Sequence, residues 1–264
     1  MQYSIDHDLH IHTHLSSCSQ HPQQTTRNIL QYAQDNGFGL ICVTDHYWDE
    51  TIPGASDWYA PQNTEHIRQS LPLPQAEGVK FLFGCETELR RDLTLGITRE
   101  RFEALDFVII PTTHLHMNGF TVDGKENAAE RAALWCERLD AVLSMDLPFH
   151  KIGIAHPVCS LIAPKRKMFL EALRLLPEKE LRRLFSVAAE KGVGIELNAE
   201  DFAFKEKERE TVLRPLRIAR DCGCRFYCGS DAHNPQALAD GPAKFRLAVD
   251  ALELTEEMKF RPGE

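Results

Sequence analysis

Potential metal ligands recur in this chain where short apolar runs end. Six runs finish in histidine or acidic residues, in the segments Asp8-Leu9-His10-Ile11-His12, Asp45-His46, Gly84-Cys85-Glu86, Thr113-His114, His156-Pro157 and Gly229-Ser230-Asp231-Ala232-His233. Imidazole and carboxylate groups together suit zinc, manganese or iron. Alternation along an extended strand end places His10 and His12 on the same side. The pattern therefore predicts a metal centre rather than scattered structural histidines.

The acidic residues in these segments are predicted to have different roles. Glu86 can bridge two cations, which a histidine ordinarily cannot do. Asp8 and Asp45 are better interpreted as acceptors that orient neighbouring imidazoles than as direct ligands. Glu196 and Asn198 follow a further apolar run, where they either contact substrate or satisfy backbone groups.

Seven short apolar runs are the candidate strands that position these residues, at 3–9, 40–43, 79–83, 107–110, 152–155, 193–197 and 225–228. Each run is continuous, as expected of a strand buried on both faces, and helix-like segments alternate with the runs. The length of 264 residues is close to the roughly 250 residues of a (β/α) barrel. We therefore predict an α/β fold, a single barrel domain over residues 1–264, with the ligands at the carboxyl ends of its strands.

The connection at 47–77 is unusually long and is rich in proline and aromatic residues. Loops of this length in compact domains are usually functional or disordered. Trp48, Trp58 and Tyr59 favour a folded segment, which we interpret as a lid over the ligand face. The alternative is an insertion that only packs its own aromatic residues.

Composition restricts the possible partners. The net charge of −9 argues against an extended nucleic-acid surface. No apolar stretch approaches the roughly 18 residues that span a bilayer, and no signal-peptide pattern is present at Met1. The eight cysteines include no C-x-x-C pair, which suits a reducing compartment. We expect a cytoplasmic protein with no membrane partner; its oligomeric state is not indicated.

The series DLHIHTH, TDH, GCE, TTH, AHP and GSDAH, read in order from Asp8 to His233, resembles the PHP (polymerase and histidinol phosphatase) superfamily. The resemblance implies a distorted seven-stranded (β/α) TIM-like barrel and a trinuclear centre of divalent zinc, manganese or iron. It implies three ligand sets: His10, His12, Glu86 and Asp231; Glu86, His114 and His156; and His46, His233 and one further residue.

The further residue is uncertain in this chain because Cys18 stands where the family pattern has a histidine. His21 lies three residues later and can replace that histidine if the loop is longer. A thiolate at Cys18 would favour zinc, and a weak third site is the remaining alternative.

The resemblance also implies an activity, a metal-dependent phosphoesterase that hydrolyses a small phosphorylated substrate with a metal-activated water. Its catalytic residues would be His10, His12, Glu86 and Asp231. A PHP-type nuclease or phosphodiesterase is the main alternative, followed by an amidohydrolase and a non-catalytic metal-binding domain. Five basic residues near strand ends either clamp the phosphate or are solvated charges: Arg90, Arg91, Lys125, Arg131 and Lys165.

Overall fold

A computed structural model describes residues 1–263, in which all strands belong to one parallel sheet. The strands are His7–Ile11 (β1), Leu40–Val43 (β2), His46–Tyr47 (β3), Lys80–Thr87 (β4), Phe107–Pro111 (β5), Ile152–Ala155 (β6), Gly194–Asn198 (β7) and Arg225–Gly229 (β8). Seven of them follow the order β1-β2-β4-β5-β6-β7-β8, and the two-residue β3 pairs with β4 beyond the end of β2. The sheet forms a nearly closed, distorted barrel, which confirms the predicted fold class.

The barrel closes where its first and last strands meet. The Asp231 backbone N–H donates to the His10 carbonyl at 2.7 Å, and the His12 N–H donates to the Ala232 carbonyl at 3.2 Å. These bonds form just beyond the carboxyl end of β8. Closure therefore brings the first and last ligand segments of the chain side by side.

The predicted runs correspond to the seven main strands. The bounds of β2 and β6 agree with the sequence, and β4 extends further than predicted, so that Glu86 lies inside a strand. The first strand begins at His7 rather than at residue 3. Tyr3 instead lies across the barrel base, where its hydroxyl donates to the Phe226 carbonyl at 2.7 Å.

Helices connect the strands around the outside of the sheet. They are Thr26–Asn36 (α1), Thr64–Ile67 (α2), Arg99–Phe102 (α3), Ala128–Ser144 (α4), Arg166–Leu175 (α5), Glu178–Lys191 (α6), Arg209–Asp221 (α7) and Pro235–Ala251 (α8). Short 3-10 helices are Arg68–Ser70, Phe149–Lys151, Ser160–Ile162, Ala199–Phe202, Glu206–Glu208 and Glu256–Met258. Within residues 1–263, no helix combines the length and apolar character needed to cross a membrane.

An inner apolar cluster fills the lower part of the barrel beneath the ligands. It contains Leu9, Cys42, Leu82, Phe107, Ile109, Ala155, Tyr227 and Phe260. Alternation along β4 places Leu82 on the same face as Glu86, with Gly84 between them. In β1 the pairing register shifts between Asp8 and Ile11, and Ile11 packs with the outer core whereas Leu9 packs inside. This irregular strand carries His10, and His12 follows directly after its end.

Candidate metal centre

Eight potential ligands from six segments converge at the carboxyl ends of the strands. Three groups have ligand atoms within 4.8 Å of one another: His10, His12 and Asp231; His12, His46 and His233; and Glu86, His114 and His156. Only eight different residues occur in these groups because His12 belongs to two of them. All predicted ligands except His21 are among them.

Glu86 occupies the centre of the cluster, and its two oxygens face different groups. Its Oε2 lies 3.4 Å from His12 Nε2 and 3.0 Å from His46 Nδ1. Its Oε1 lies 3.3 Å from His156 Nε2 and 3.9 Å from His114 Nε2. A carboxylate in this position can contact one cation with each oxygen, which is the arrangement that a bridging role requires.

Asp231 faces the paired histidines from the neighbouring segment, just beyond the end of β8. Its Oδ1 lies 3.1 Å from His12 Nε2 and 3.4 Å from His10 Nε2. Its backbone has φ of 52°, and His156 has φ of 29°, in a region that side-chain-bearing residues rarely adopt. Such strained positions cluster at functional sites. The fold therefore holds two potential ligands in costly backbone conformations.

Glu196 orients the first histidine of the pair. Its Oε1 lies 2.7 Å from His10 Nδ1, and its Oε2 accepts the His156 backbone N–H at 2.5 Å. Asn198 accepts the Glu200 backbone N–H at 2.9 Å. Of the two roles predicted for Glu196 and Asn198, the structure shows the contacts to backbone groups. Glu196 contacts a histidine side chain as well.

Glu88 holds His114 in the same way, and the sequence interpretation missed it. Its Oε2 lies 2.7 Å from His114 Nδ1 and accepts the Tyr59 hydroxyl at 3.2 Å. Its Oε1 accepts from Arg138, whose side chain is 1% exposed on α4. Position was the one signal in the sequence, since Glu88 follows Glu86 by two residues and lies directly after the end of β4.

The predicted orienting roles of Asp8 and Asp45 have different outcomes. Asp45 accepts the Ser16 hydroxyl at 2.6 Å, and Ser16 Oγ lies 2.9 Å from His12 Nδ1, so Asp45 acts on an imidazole through one intermediate. Asp8 contacts no imidazole. It accepts the Ser230 backbone N–H at 2.9 Å and thereby joins the edges of the barrel.

The electrostatics of the cluster favour bound cations. Burial raises the pKa of Glu86, but nearby His46 and His10 outweigh this effect and hold the pKa well below its usual range. Burial lowers the pKa of His12, yet Asp231 and Glu86 raise it to about 9. The carboxylates therefore attract positive charge into a buried site.

The donor set itself also fits metal ions. Within residues 1–263 the buried Nδ1 of His46 has no hydrogen-bond partner, although it lies close to Glu86. A buried polar atom without a partner is costly unless a ligand satisfies it. Mixed imidazole and carboxylate donors are those that divalent zinc, manganese or iron prefer.

Comparison with known proteins identifies the family. Residues 8–200 match the PHP domain. The chain belongs to the PHP domain family. It is 24% identical to a probable phosphatase from Shewanella piezotolerans, over 94% of this chain and 85% of that protein. It is also 24% identical to the probable phosphatase YcdX of Shigella flexneri serotype 5b, over 95% and 87%.

The same fold occurs in a crystal structure of histidinol phosphate phosphatase from Lactococcus lactis, complexed with zinc, L-histidinol and phosphate. The TM-score is 0.61 at 18% identity, and the match covers 97% of this chain and 99% of that one. Because the structural match extends over nearly the full length of both chains, it establishes the barrel architecture.

The third ligand group of this PHP domain differs from our expectation. His21 is exposed and lies outside all three groups, and its Nδ1 accepts the Gln23 backbone N–H at 3.2 Å. Its predicted place beside His46 and His233 is taken by His12. Cys18 also belongs to none of the groups, although it lines the adjoining cavity.

The path of the loop explains where His21 lies. The Ser16 hydroxyl is held by Asp45, and the Ser19 hydroxyl donates to the His233 carbonyl at 2.9 Å. These bonds fix the loop beside the metal cluster as far as Ser19. The chain then turns outward, so that the extra residues before His21 carry its side chain to the surface.

A cavity of about 490 Å³ opens onto the ligand face of this PHP domain. Its walls consist of Cys18, His46, Ser56, Trp58, Tyr59, Glu86, His114, His116, Met117, Asn118, Phe120, Leu161, Asp231 and His233. Three of these residues come from the 47–77 connection, which is folded here and packs its aromatic residues against Phe120.

None of the five basic residues considered as phosphate clamps lines this cavity. Arg90 pairs with Asp92, and Arg91 pairs with Asp123. Arg131 is buried, and it donates to Glu126 and to the Leu115 and Ile162 carbonyls. Lys125 and Lys165 are exposed. The described part of the cavity therefore offers no lysine or arginine to a phosphate.

Proposed function

We propose that this PHP domain is a metal-dependent phosphoesterase that hydrolyses a small phosphomonoester with water as the nucleophile. The observation that carries the proposal is the position of Glu86, whose two oxygens face different ligand groups at the floor of an open cavity. The probable phosphatases among its relatives support the same reaction class.

The chain would hold up to three divalent ions with the residues already described. One set is His10, His12, Asp231 and Glu86; a second is Glu86, His114 and His156; the third is His46, His233 and the shared His12. When bound, such ions activate a water for attack and neutralise phosphate oxygens in the transition state. We assign catalytic function to His10, His12, Glu86 and Asp231.

The surrounding residues prepare the ligands for this task. Three ligand histidines have Nδ1 against a neighbouring side chain: His10 against Glu196, His114 against Glu88, and His12 against Ser16. In each ring, Nε2 is thereby left directed toward the cluster. Thr113 serves His156 in the same way, with Oγ1 2.8 Å from its Nδ1. Fixing one nitrogen sets the tautomer and orientation of the ring, and thereby increases metal affinity.

The cavity favours a small monoester over a nucleic acid. A polynucleotide presents several phosphates at once, and proteins neutralise these with lysine and arginine. The described lining contains neither residue type. A single terminal phosphate requires only the charge that bound cations supply locally, even in an acidic protein.

Reconstitution tests the proposal directly. Metal-depleted protein is loaded with zinc, manganese or ferrous iron, and bound metal is measured beside hydrolysis of 4-nitrophenyl phosphate and bis(4-nitrophenyl) phosphate. We expect two or three equivalents and faster turnover of the monoester. A fully loaded protein that hydrolyses neither compound contradicts the phosphoesterase, and preference for the diester contradicts the monoester assignment.

A further inference from the structure

The cavity wall facing the metal cluster carries exposed apolar side chains. In the described part of the chain, few large hydrophobic residues are exposed, and two of them, Trp58 and Leu161, line this cavity at 37% exposure each. They come from separate connections, after β3 and after β6. Exposed apolar groups that converge on a concave site are typical of ligand contact surfaces.

The aromatic part of this wall is already assembled. The Trp58 ring lies 4.9 Å from the His46 ring and 4.7 Å from the Tyr59 ring, in edge-to-face arrangements. Tyr59 in turn packs 5.5 Å from Phe120 and donates its hydroxyl to Glu88. Because Tyr59 is fully buried, it supports the more exposed Trp58 directly beside the ligand cluster.

The charges of the cavity are concentrated at the metal cluster. Glu86 and Asp231 are the acidic residues in the described lining, and their oxygens face the clustered histidines. No lysine or arginine lines the cavity in residues 1–263. An ammonium group on the substrate would therefore lack a free carboxylate, and a second phosphate would lack a cation. Burying either charge unpaired would be costly.

We propose that the physiological substrate is the phosphomonoester of an uncharged aromatic alcohol, with its ring bound between Trp58 and Leu161. This inference rests on the proposed phosphoesterase function. Water attacks phosphorus, the bond from phosphorus to the ester oxygen breaks, and that oxygen takes up a proton. The products are inorganic phosphate and the free alcohol. A volume of about 490 Å³ accommodates a ligand of this class.

A series of primary alkyl esters separates recognition from leaving-group chemistry. The zinc-loaded enzyme is assayed with 2-phenylethyl phosphate, 2-aminoethyl phosphate, glycerol 1-phosphate and L-histidinol phosphate. We expect kcat/KM for the phenylethyl ester to exceed the others by about tenfold or more, which is the size of effect that an apolar pocket provides. L-Histidinol phosphate, which combines a ring with an ammonium group, tests whether charge is excluded.

Variants connect this preference to the wall. Trp58→Ala and Leu161→Asn should each reduce the ratio between the phenylethyl and aminoethyl esters to about threefold or less. Leu247→Asn is the matched control, because Leu247 is also an exposed leucine but lies on α8 away from the cavity. It should leave the ratio unchanged.

Binding of a non-hydrolysable analogue gives a second measurement. Calorimetry with the zinc-loaded enzyme should show tighter binding of 2-phenylethylphosphonate than of 2-aminoethylphosphonate, and this difference should decrease in Leu161→Asn. Hydrolysis of every ester without preference, or preference for a charged or glycerol ester, overturns the aromatic substrate while the phosphoesterase stands. A metal-loaded enzyme that hydrolyses none of the esters overturns the proposed function itself.

Discussion

Buried histidines at the two ends of the barrel differ in how their ring nitrogens are satisfied. At the amino end, Nδ1 of His7 lies 2.9 Å from Asp6 Oδ1, and Nε2 of the same ring accepts the Cys228 backbone N–H at 2.9 Å. At the carboxyl end, Glu196 binds only one nitrogen of His10, and the other faces Glu86 and Asp231. Similar burial therefore serves structure at one end and leaves a metal donor free at the other.

The first prediction concerns the residue that joins the ligand groups. Glu86→Gln removes the negative charge that both neighbouring groups face, so we expect the loss of at least one metal equivalent and about a 10³-fold decrease in kcat for 4-nitrophenyl phosphate. Metal analysis and steady-state kinetics measure the two effects. Glu137→Gln, an exposed substitution on α4, is the matched control. Full metal content in Glu86→Gln would exclude the bridging role.

The second prediction concerns the orientation of His114 by Glu88. Glu88→Gln should weaken metal binding at the group containing His114 by about 10- to 100-fold, as is typical of residues that orient a ligand. Arg138 complicates this variant, because it would remain buried without its charged partner. The double variant Glu88→Gln/Arg138→Met should recover stability in thermal unfolding but not metal affinity. Recovery of both would show that Glu88 has only a structural role.

The strands and the convergence of most candidate ligands could be predicted because their signals are local. Continuous apolar runs gave the bounds of β2 and β6, and parallel topology then placed His46 and His156 on the same face. The convergence of residues from Asp8 to His233 follows from this topology without knowledge of any individual contact.

The errors arose where tertiary hydrogen bonds determine the structure. The bonds of Ser16 and Ser19 direct the loop that leaves His21 outside, and no pattern in the sequence indicates them. Arg138 resembles any helical arginine in the sequence, although it is buried against Glu88. These roles depend on partners that are distant along the chain.

The third prediction distinguishes the two histidines that were considered for the third group. Because His233 lies in that group and His21 does not, His233→Ala should remove about one metal equivalent, whereas His21→Ala should retain full content. Metal analysis after gel filtration compares the two variants. A loss confined to His21→Ala would show that the loop rearranges around bound metal, and would restore the original assignment of His21.

The last prediction returns to the amino end of the barrel, where the smallest effect is expected. Burial raises the pKa of Asp6, but bonds from His7 and Lys259 lower it to about 2. A carboxyl whose pKa is lowered in the folded state adds stability above its unfolded pKa of about 4, and this contribution disappears as pH falls toward 2.

Asp6 is half-exposed, so solvent screening limits its contribution at pH 7 to about 1 kcal/mol or less. Asp6→Asn should therefore lower the free energy of unfolding slightly at pH 7, and the difference from the unmodified protein should vanish between about pH 4 and pH 2. Urea unfolding at several pH values measures this change, with metal content as the internal control. Asp6 and His7 lie below the inner apolar cluster and contact none of the ligand groups. Loss of metal in Asp6→Asn would therefore mean that the two ends of the barrel are coupled.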